Sequence, residues 1–336
     1  MKLNKKGDIF QILFLNIILL MKMKILAIFL LIIINNILFN QTLNLKIAIC
    51  TMAKKENLYI KEFVDYYLHL GIDHIFIYDD NDINSEKISD ILDKSYKDNV
   101  KIFDNIKDRI KNQSMAYTSC YNNNKNKFDW FFMNDIDEYL VIKKDTLKNY
   151  LSNYKFKKCD FIKIHWIQPT DNNLLHYDNR TLIERFKGPY LKDTHIKTLV
   201  RGNIEGLHYD IHSPSSSPKR NISCSNIGKK YKYNKILFND VFEINYDKAF
   251  IIHFKYKSTE EYINKYKRGY SNWFNSKFLS MRIEEYFKDN EVTLEKVEYM
   301  EKELKLNLSE YKRLILMNKR NKKSKNFLND FEIEFI

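Results

Sequence analysis

The stretch Phe128–Leu140 sets an aromatic and apolar run directly against three carboxylates, Asp135, Asp137 and Glu138. A short apolar run of this kind reads as a buried strand more readily than as a helix. A buried strand that ends in acids needs something positive beside it, because an unpaired buried carboxylate is costly. In an open α/β sheet, ligands bind at the carboxyl ends of the strands. Asp-x-Asp at such an end can hold a hard divalent cation, with waters and substrate phosphates as the other ligands. The competing reading is an acidic turn that caps the next helix.

The 336 residues suffice for one large or two small domains with a sizeable core. The formal net charge is +13, but the lysines are scattered and accompanied by 43 acids. Such an excess describes a solvated surface that also suits an anionic nucleotide or a membrane face. No zinc-finger spacing or other nucleic-acid motif is present, so nucleic acid is not an expected partner. Cys50, Cys120, Cys159 and Cys224 are far apart, with no CxxC pair. They are expected to be buried thiols, with one bridge left open.

At the N-terminus, Lys2, Lys5 and Lys6 precede an apolar run from Ile9 to Met21, and a second run covers Ile25 to Phe39. Neither alone reaches the roughly 20 apolar residues that span a bilayer, but together they can, with Lys22 and Lys24 snorkelling. The expectation is an uncleaved single-pass anchor, with a cleaved signal and a secreted product as the alternative.

From Leu45 the pattern turns α/β. A strand at Leu45–Thr51 is followed by a helix from Lys54 onwards with Ile60, Phe63, Val64, Tyr67 and Leu68 at helical spacing and Gly71 as its C-cap. His74–Tyr78 is a second strand, ending in Asp79-Asp80-Asn81-Asp82, which completes a βαβ unit. The alternation continues with a helix near Ser85–Lys94, a strand at Val100–Phe103, a helix at Gln113–Tyr121 and the acid-tipped strand. Further on come a helix at Leu147–Tyr154 and strands at Phe161–Ile167 and Ile196–Val200. Ser213–Lys230 is Ser-, Pro- and Asn-rich and predicts a flexible loop. A strand at Ala249–Phe254 and a helix at Thr259–Arg268 capped by Ser258 or Thr259 follow. The remainder, Ser271–Ile336, reads as charged helix. The division expected is 1–44 anchor and stem, 45–270 catalytic domain and 271–336 helical extension.

In this order the landmarks resemble glycosyltransferase family 92 and related family-2-like nucleotide-sugar transferases of the GT-A fold. The likeness covers roughly Leu45 to Gly269. It runs through Glu56, Glu62-Phe63, Gly71-Ile72-Asp73-His74 and Tyr78-Asp79, then Gln113, Tyr117, Cys120, Asp129-Trp130 and Asp135-Ile136-Asp137-Glu138. It continues through Trp166, Thr181–Phe186, Lys197 and His212-Ser213-Pro214 to His253-Phe254, Lys257-Ser258, Glu261, Lys265 and Arg268-Gly269. The chain departs from the family at Lys54-Lys55-Glu56, where an Arg-Asn-Glu type start is usual, and at Phe63 and Tyr67, where Trp and His are usual. Ile167–Asn173 replaces a Phe-Gly-Ser-like loop that would face the acceptor.

The resemblance implies an α/β GT-A domain with a central, mainly parallel sheet. It implies transfer of a hexose from a nucleotide-sugar donor, UDP-hexose first, to a glycan or glycolipid hydroxyl, aided by Mn²⁺ or Mg²⁺. A eukaryotic setting would make it a type II protein of Golgi or ER. Asp135 and Asp137 become metal and nucleotide residues, and His253 a third metal ligand. Asp79 becomes a reader of the donor nucleoside, and Lys257, Lys265 and Arg268 a diphosphate clamp. An inverting reaction needs a carboxylate base, for which Glu138, Asp171 and Asp210 are candidates. His212 would lie at the rim. The rival readings are a metal-dependent nucleotidyl- or phosphotransferase and a degenerate anchored carbohydrate-binding protein.

Overall fold

A computed structural model describes residues 19–31, 33, 45–104, 106, 110–216, 222–232, 244–268, 276–316 and 327–328. The chain divides into two compact units, 1–45 and 46–336. In the first, residues 19–31 are helical, and their apolar side chains from Leu19 to Leu31 are exposed. Among the described residues no helix is long and apolar enough to cross a membrane. Most of the two expected runs, Ile9–Met21 and Ile25–Phe39, lies outside the described residues.

The second unit begins as the periodicity predicts. Strand β1 (Ile47–Ala53) leads to helix α1 (Ile60–Leu70), which buries Ile60, Phe63, Val64 and Tyr67 on its helical stripe. Gly71, at φ 101°, ends α1 in the left-handed conformation that glycine adopts without a Cβ clash. Strand β2 (His74–Asp79), a single turn of helix α2 (Ile88–Ile91) and strand β3 (Val100–Phe103) follow. Helix α3 (Gln113–Asn124), capped by Asn112, precedes β4 (Trp130–Met133). Hydrogen bonding makes β3-β2-β1-β4 a parallel block that forms one end of the sheet, with β3 at its edge. The carboxyl ends of β1, β2 and β4 therefore share one edge, which carries Lys54–Glu56, Asp79–Asn81 and Asn134–Asp137.

Beyond β4 the sheet becomes mixed. Strand β5 (Glu138–Ile142) follows the acid turn, helix α4 (Leu147–Ser152) comes next, and β6 (Phe161–Pro169) runs antiparallel to β7 (Tyr190–Arg201), with α5 (Leu182–Arg185) between them. Strand β7 pairs with β4 and closes onto the parallel block. The segment Ser213–Lys230, expected as a loop, instead contributes β9 (Pro214–Ser216), paired with β8 (His208–Tyr209), and β10 (Ile222–Ser225). Strand β10 adds to β6 and pairs with β11 (Lys230–Lys232). Residues 217–221 of that segment lie outside the described set. Strand β12 (Ala249–His253) lies parallel to β6 and antiparallel to β5, so that His253 and Glu138 are directly opposite.

The thiol expectation is corrected. Cys50 is bonded to Cys120 and Cys159 to Cys224, so all four cysteines form disulfides. The first ties β1 to α3 and the second ties β6's approach to β10. The closed loops of 70 and 65 residues each remove chain entropy worth about 4 kcal/mol in the loop-closure treatment. The bridges were illegible in sequence because each joins elements brought together by the sheet, not by spacing.

Helix α6 (Thr259–Lys267) starts at Ser258, whose side chain accepts from Glu261 N–H while the Glu261 side chain accepts from Ser258 N–H. Helices α7 (Ser276–Asp289), α8 (Leu294–Leu304) and α9 (Ser309–Leu316) come next. Tyr256, Tyr262, Tyr286, Val297 and Met300 pack a second core between α6 and these helices. The helices of 271–316 thus belong to the same compact unit as the sheet.

Candidate active site at the carboxyl edge of the sheet

The acid turn is held from below by one hydroxyl. Tyr67 Oη, on α1, donates to the carbonyl of Glu138 at 2.8 Å and accepts from Leu140 N–H at 2.9 Å and Asn134 Nδ2 at 2.8 Å. Asn134 Nδ2 also donates to the Glu138 carbonyl, so the end of β4 and the start of β5 are locked together. The residue that departs from the family pattern is therefore used to shape the turn. Its role was invisible in sequence because it depends on where α1 packs.

The two aspartates of the turn face different company. Asp135 Oδ1 accepts from Tyr117 Oη at 2.7 Å and from Gln113 Nε2, and Oδ2 accepts from Lys197 Nζ at 3.0 Å. Burial opposes its ionisation, but Lys197 outweighs that and holds its carboxyl below the usual range. Lys197 is itself fully buried and also donates to the Ile211 carbonyl. Glu138 lies behind them, fully buried, 3.5 Å from Lys197, with Oε1 lacking a hydrogen-bond partner. Burial and the neighbouring Asp135 push its carboxyl far up.

Asp137 is the more buried of the two, its side chain 8% exposed against 27% for Asp135. Its Oδ2 accepts from Lys265 Nζ at 3.0 Å and its Oδ1 lies 3.7 Å from His253 Nε2, beyond hydrogen-bond range. Burial opposes ionisation here too, and Lys265, His253 and Lys257 together overcome it. Burial lowers the His253 pKa to about 4, leaving a neutral imidazole whose Nδ1 is buried without a partner. A carboxylate and a neutral imidazole facing each other at 3.7 Å form a donor set that suits a divalent ion of borderline hardness. No group of three His, Cys, Asp or Glu gathers for a metal among the described residues. The fit is therefore to a two-residue site completed by water and substrate oxygens.

The basic residues gather around Glu56. Arg268 Nη2 donates to Glu56 Oε1 at 2.6 Å and Nη1 to the Lys54 carbonyl at 2.8 Å. Lys257 Nζ reaches Glu56 Oε2 at 3.2 Å and sits 3.6 Å from the Tyr59 ring centroid. Lys55 and Lys257 both hold left-handed backbone, at φ 53° and 56°, which costs a side-chain-bearing residue of order 1 kcal/mol. Four cations, Lys197, Lys257, Lys265 and Arg268, thus gather at this edge with the carboxyl groups of Glu56, Asp135, Asp137 and Glu138.

The remaining candidates are engaged in other contacts. Asp79 is buried, and its oxygens accept from Asn81 N–H at 2.8 Å and Ile88 N–H at 2.9 Å, the bonds of a turn that starts α2. Asp171 is buried beneath α7 and α8, where it pairs with Lys296 at 2.7 Å and accepts from Tyr286 Oη and Asn173 N–H. The segment read as an acceptor-facing loop is largely buried: Ile167–Pro169 belongs to β6, and Thr170 and Asp171 are covered. Asp210 is half-buried in the β8–β9 turn, one residue before the carbonyl that Lys197 contacts. His212 Nδ1–H donates to the Ile196 carbonyl at 3.1 Å, and the ring packs on Trp166. Between α3 and β8–β9 lies an open cleft of about 630 Å³ lined by Ser114, Thr118, His208 and Tyr209 among others.

A glycosyltransferase family 92 protein of Arabidopsis thaliana is 25% identical over 118 residues, 32% of this chain and 20% of that protein. A family 92 protein of Oryza sativa subsp. japonica is 25% identical over 111 residues, 33% of this chain and 19% of that one. The matched region thus spans about a fifth of these relatives' own length. The HddC structure from Yersinia pseudotuberculosis aligns with 47% of this chain and 71% of its own at 12% identity and a TM-score of 0.26, too loose a superposition to specify a fold. The sequence profile of glycosyltransferase family 92 matches residues 44–310. The chain belongs to glycosyltransferase family 92.

Proposed function

We propose that this chain is a metal-dependent glycosyltransferase with GT-A architecture. In this reading it moves a hexose from a nucleotide sugar, a UDP-hexose first, to a hydroxyl of a glycan or glycolipid. The observation that carries the reading is the Asp137–His253 pair, incompletely satisfied at the carboxyl edge of a parallel block and flanked by Lys265, Lys257 and Arg268. Asp137 and His253 would hold Mn²⁺ or Mg²⁺, which supplies Lewis-acid stabilisation of charge growing on a diphosphate leaving group. Lys265, Lys257 and Arg268 would bind the diphosphate itself, exchanging carboxylate partners for phosphate oxygens. Asp135, fixed by Tyr117, Gln113 and Lys197, would orient the nucleotide, and Asp79 would lie near its nucleoside.

Two buried disulfides favour a catalytic unit that matures in an oxidising compartment. The exposed apolar side chains of residues 19–31 favour a membrane-anchored protein. Together they support a single-pass anchor with the catalytic unit on the luminal or outer face.

The test is a screen of UDP- and GDP-hexoses against the 336-residue chain with Mn²⁺, with EDTA and with Asp137→Ala. Nucleotide release that needs both the metal and Asp137 is expected. A folded chain that binds none of these donors would remove the transferase reading and favour a non-catalytic carbohydrate-binding protein.

A further inference from the structure

The β6–β7 ladder contains an irregularity with chemical content. Between the His165–Ile196 and Ile167–Lys192 pairs, β6 has one residue, Trp166, while β7 has three, Asp193, Thr194 and His195. Bulges of this type re-aim side chains and recur beside active sites. Here the bulge folds Asp193 back on His195: Asp193 Oδ1 accepts from His195 N–H at 2.8 Å and meets His195 Nδ1 at 2.6 Å. The other carboxylate oxygen accepts from Gln168 Nε2. With Nδ1–H given to a carboxylate, the lone pair resides on Nε2. The His195 ring stacks on Trp166 at 5.1 Å and 16°, which fixes its plane.

The same indole touches the metal-side residue. Trp166 lies 4.2 Å from the His253 ring, so His195 and His253 sit on either side of one tryptophan. These two steps, 5.1 Å and 4.2 Å between ring centroids, connect His195 through Trp166 to the Asp137 end of the site. Trp166 is nearly buried, and its Nε1 has no hydrogen-bond partner among the described residues.

We propose that His195 is the general base that takes the proton of the acceptor hydroxyl, with Asp193 as its positioning residue. This inference rests on the transferase reading above. The acceptor oxygen bonds to the anomeric carbon of the donor hexose as the bond from that carbon to the phosphate oxygen breaks. The bonding pair leaves on the nucleoside diphosphate, and His195 Nε2 receives the hydroxyl proton and later releases it to water. Attack opposite the leaving group inverts the anomeric configuration.

Exposure separates His195 from its neighbours. Its side chain is 42% exposed, whereas Asp193 is 11% exposed. The titratable groups around the Asp193–His195 pair are His165 from β6, His212 beyond β8, and His253 and Tyr246 from β12 and its approach. Burial pulls His165 and His253 down to about 4 and His212 to about 3, so each is neutral and poorly placed to discharge a proton. Glu138 and Asp171 are wholly buried, and Asp210 accepts from Ile211 N–H at 2.7 Å.

The test uses the 336-residue chain with Mn²⁺, UDP-hexoses as donors and p-nitrophenyl hexosides as acceptors. His195→Ala is expected to lower transfer about 100-fold or more while donor binding by calorimetry stays within about 2-fold, and added imidazole is expected to restore transfer. Asp193→Asn is expected to lower kcat about 10-fold or more at unchanged donor KM, because Nδ1–H loses the carboxylate that fixes the tautomer and ring orientation. Product of inverted configuration, read by NMR with the unaltered chain, is required and depends on no variant folding. Retained configuration, or His195→Ala transferring within about 3-fold of the parent, overturns the inference while leaving metal- and Asp137-dependent transfer intact. An unaltered chain that neither binds nor turns over any UDP-hexose overturns both.

Discussion

Two buried aspartate–lysine pairs in this chain look alike by distance and differ in everything else. Asp171 and Lys296 meet at 2.7 Å with side chains 1% and 2% exposed, and Asp137 and Lys265 meet at 3.0 Å with side chains 8% and 18% exposed. Around the first pair every demand is met. Lys296 Nζ also donates to Asn173 Oδ1 and the Glu291 carbonyl, both at 2.9 Å, and Asp171 accepts from Tyr286 Oη and Asn173 N–H. Around the second, Asp137 faces an imidazole at 3.7 Å without a hydrogen bond, and that imidazole has an orphaned nitrogen. A buried ion pair by itself marks neither stability nor function. The unsatisfied neighbour makes the distinction: the first pair fastens α7 and α8 to the end of β6, and the second borders an imidazole with an unpaired nitrogen.

The largest expected effect follows from cutting the closed pair. Lys296→Met leaves Asp171 buried and uncompensated, which costs about 3–5 kcal/mol. A fall in melting temperature of roughly 10 °C is expected for a unit of this size. A loss below about 1 kcal/mol would break the comparison, because the pair would then be replaceable by water. Next comes Tyr67→Phe. It strands Leu140 N–H, while Asn134 Nδ2 keeps the Glu138 and Asp135 carbonyls, so one buried donor goes unsatisfied at about 1–3 kcal/mol. Chemical denaturation reads that loss. The acid turn is expected to loosen with it, so donor affinity should fall with stability, whereas Lys296→Met should leave the affinity of the remaining folded protein unchanged.

What could be read in the sequence were features whose signal is local. The stripe of Ile60, Phe63, Val64 and Tyr67, the φ freedom of Gly71, the cap at Ser258 and the strand before Asp135 all announce themselves within a few residues, and all are present. The resemblance brought His253, Lys257, Lys265 and Arg268 to one neighbourhood, and the structure places them around Glu56 and Asp137, with Lys197 as a further cation that it had given no role. What could not be read were relations made only by folding. The cysteine pairs close across 70 and 65 residues. Asp171 sits in a polar run that looks solvent-facing until α7 and α8 cover it. The Asp193–His195 dyad exists because β7 holds two residues more than β6 opposite Trp166, a register fact with no signature in either strand alone.

The smallest effect has the most informative sign. In the proposed site Lys265 and a divalent cation compete for Asp137, because the ammonium occupies Oδ2 when no metal is held. Lys265→Met removes the competitor. Its cost in stability should be about 1 kcal/mol, since the side chain is partly exposed and Asp137 keeps His253 and the field of Lys257. Its affinity for Mn²⁺ alone should rise several-fold, about 1 kcal/mol, while its affinity for a UDP-hexose in saturating Mn²⁺ should fall, because the lysine freed by the metal is lost to the diphosphate. Calorimetry of Mn²⁺ into the parent, Lys265→Met and Lys296→Met chains reads both halves. If Lys265→Met weakens Mn²⁺ binding or leaves it unchanged, Asp137 is not the metal's carboxylate and the two ion pairs are of one kind. If Mn²⁺ binds more tightly and the donor less, the same lysine serves as placeholder for the metal and as ligand for the phosphate, a double use that the sealed Asp171–Lys296 pair has no room for.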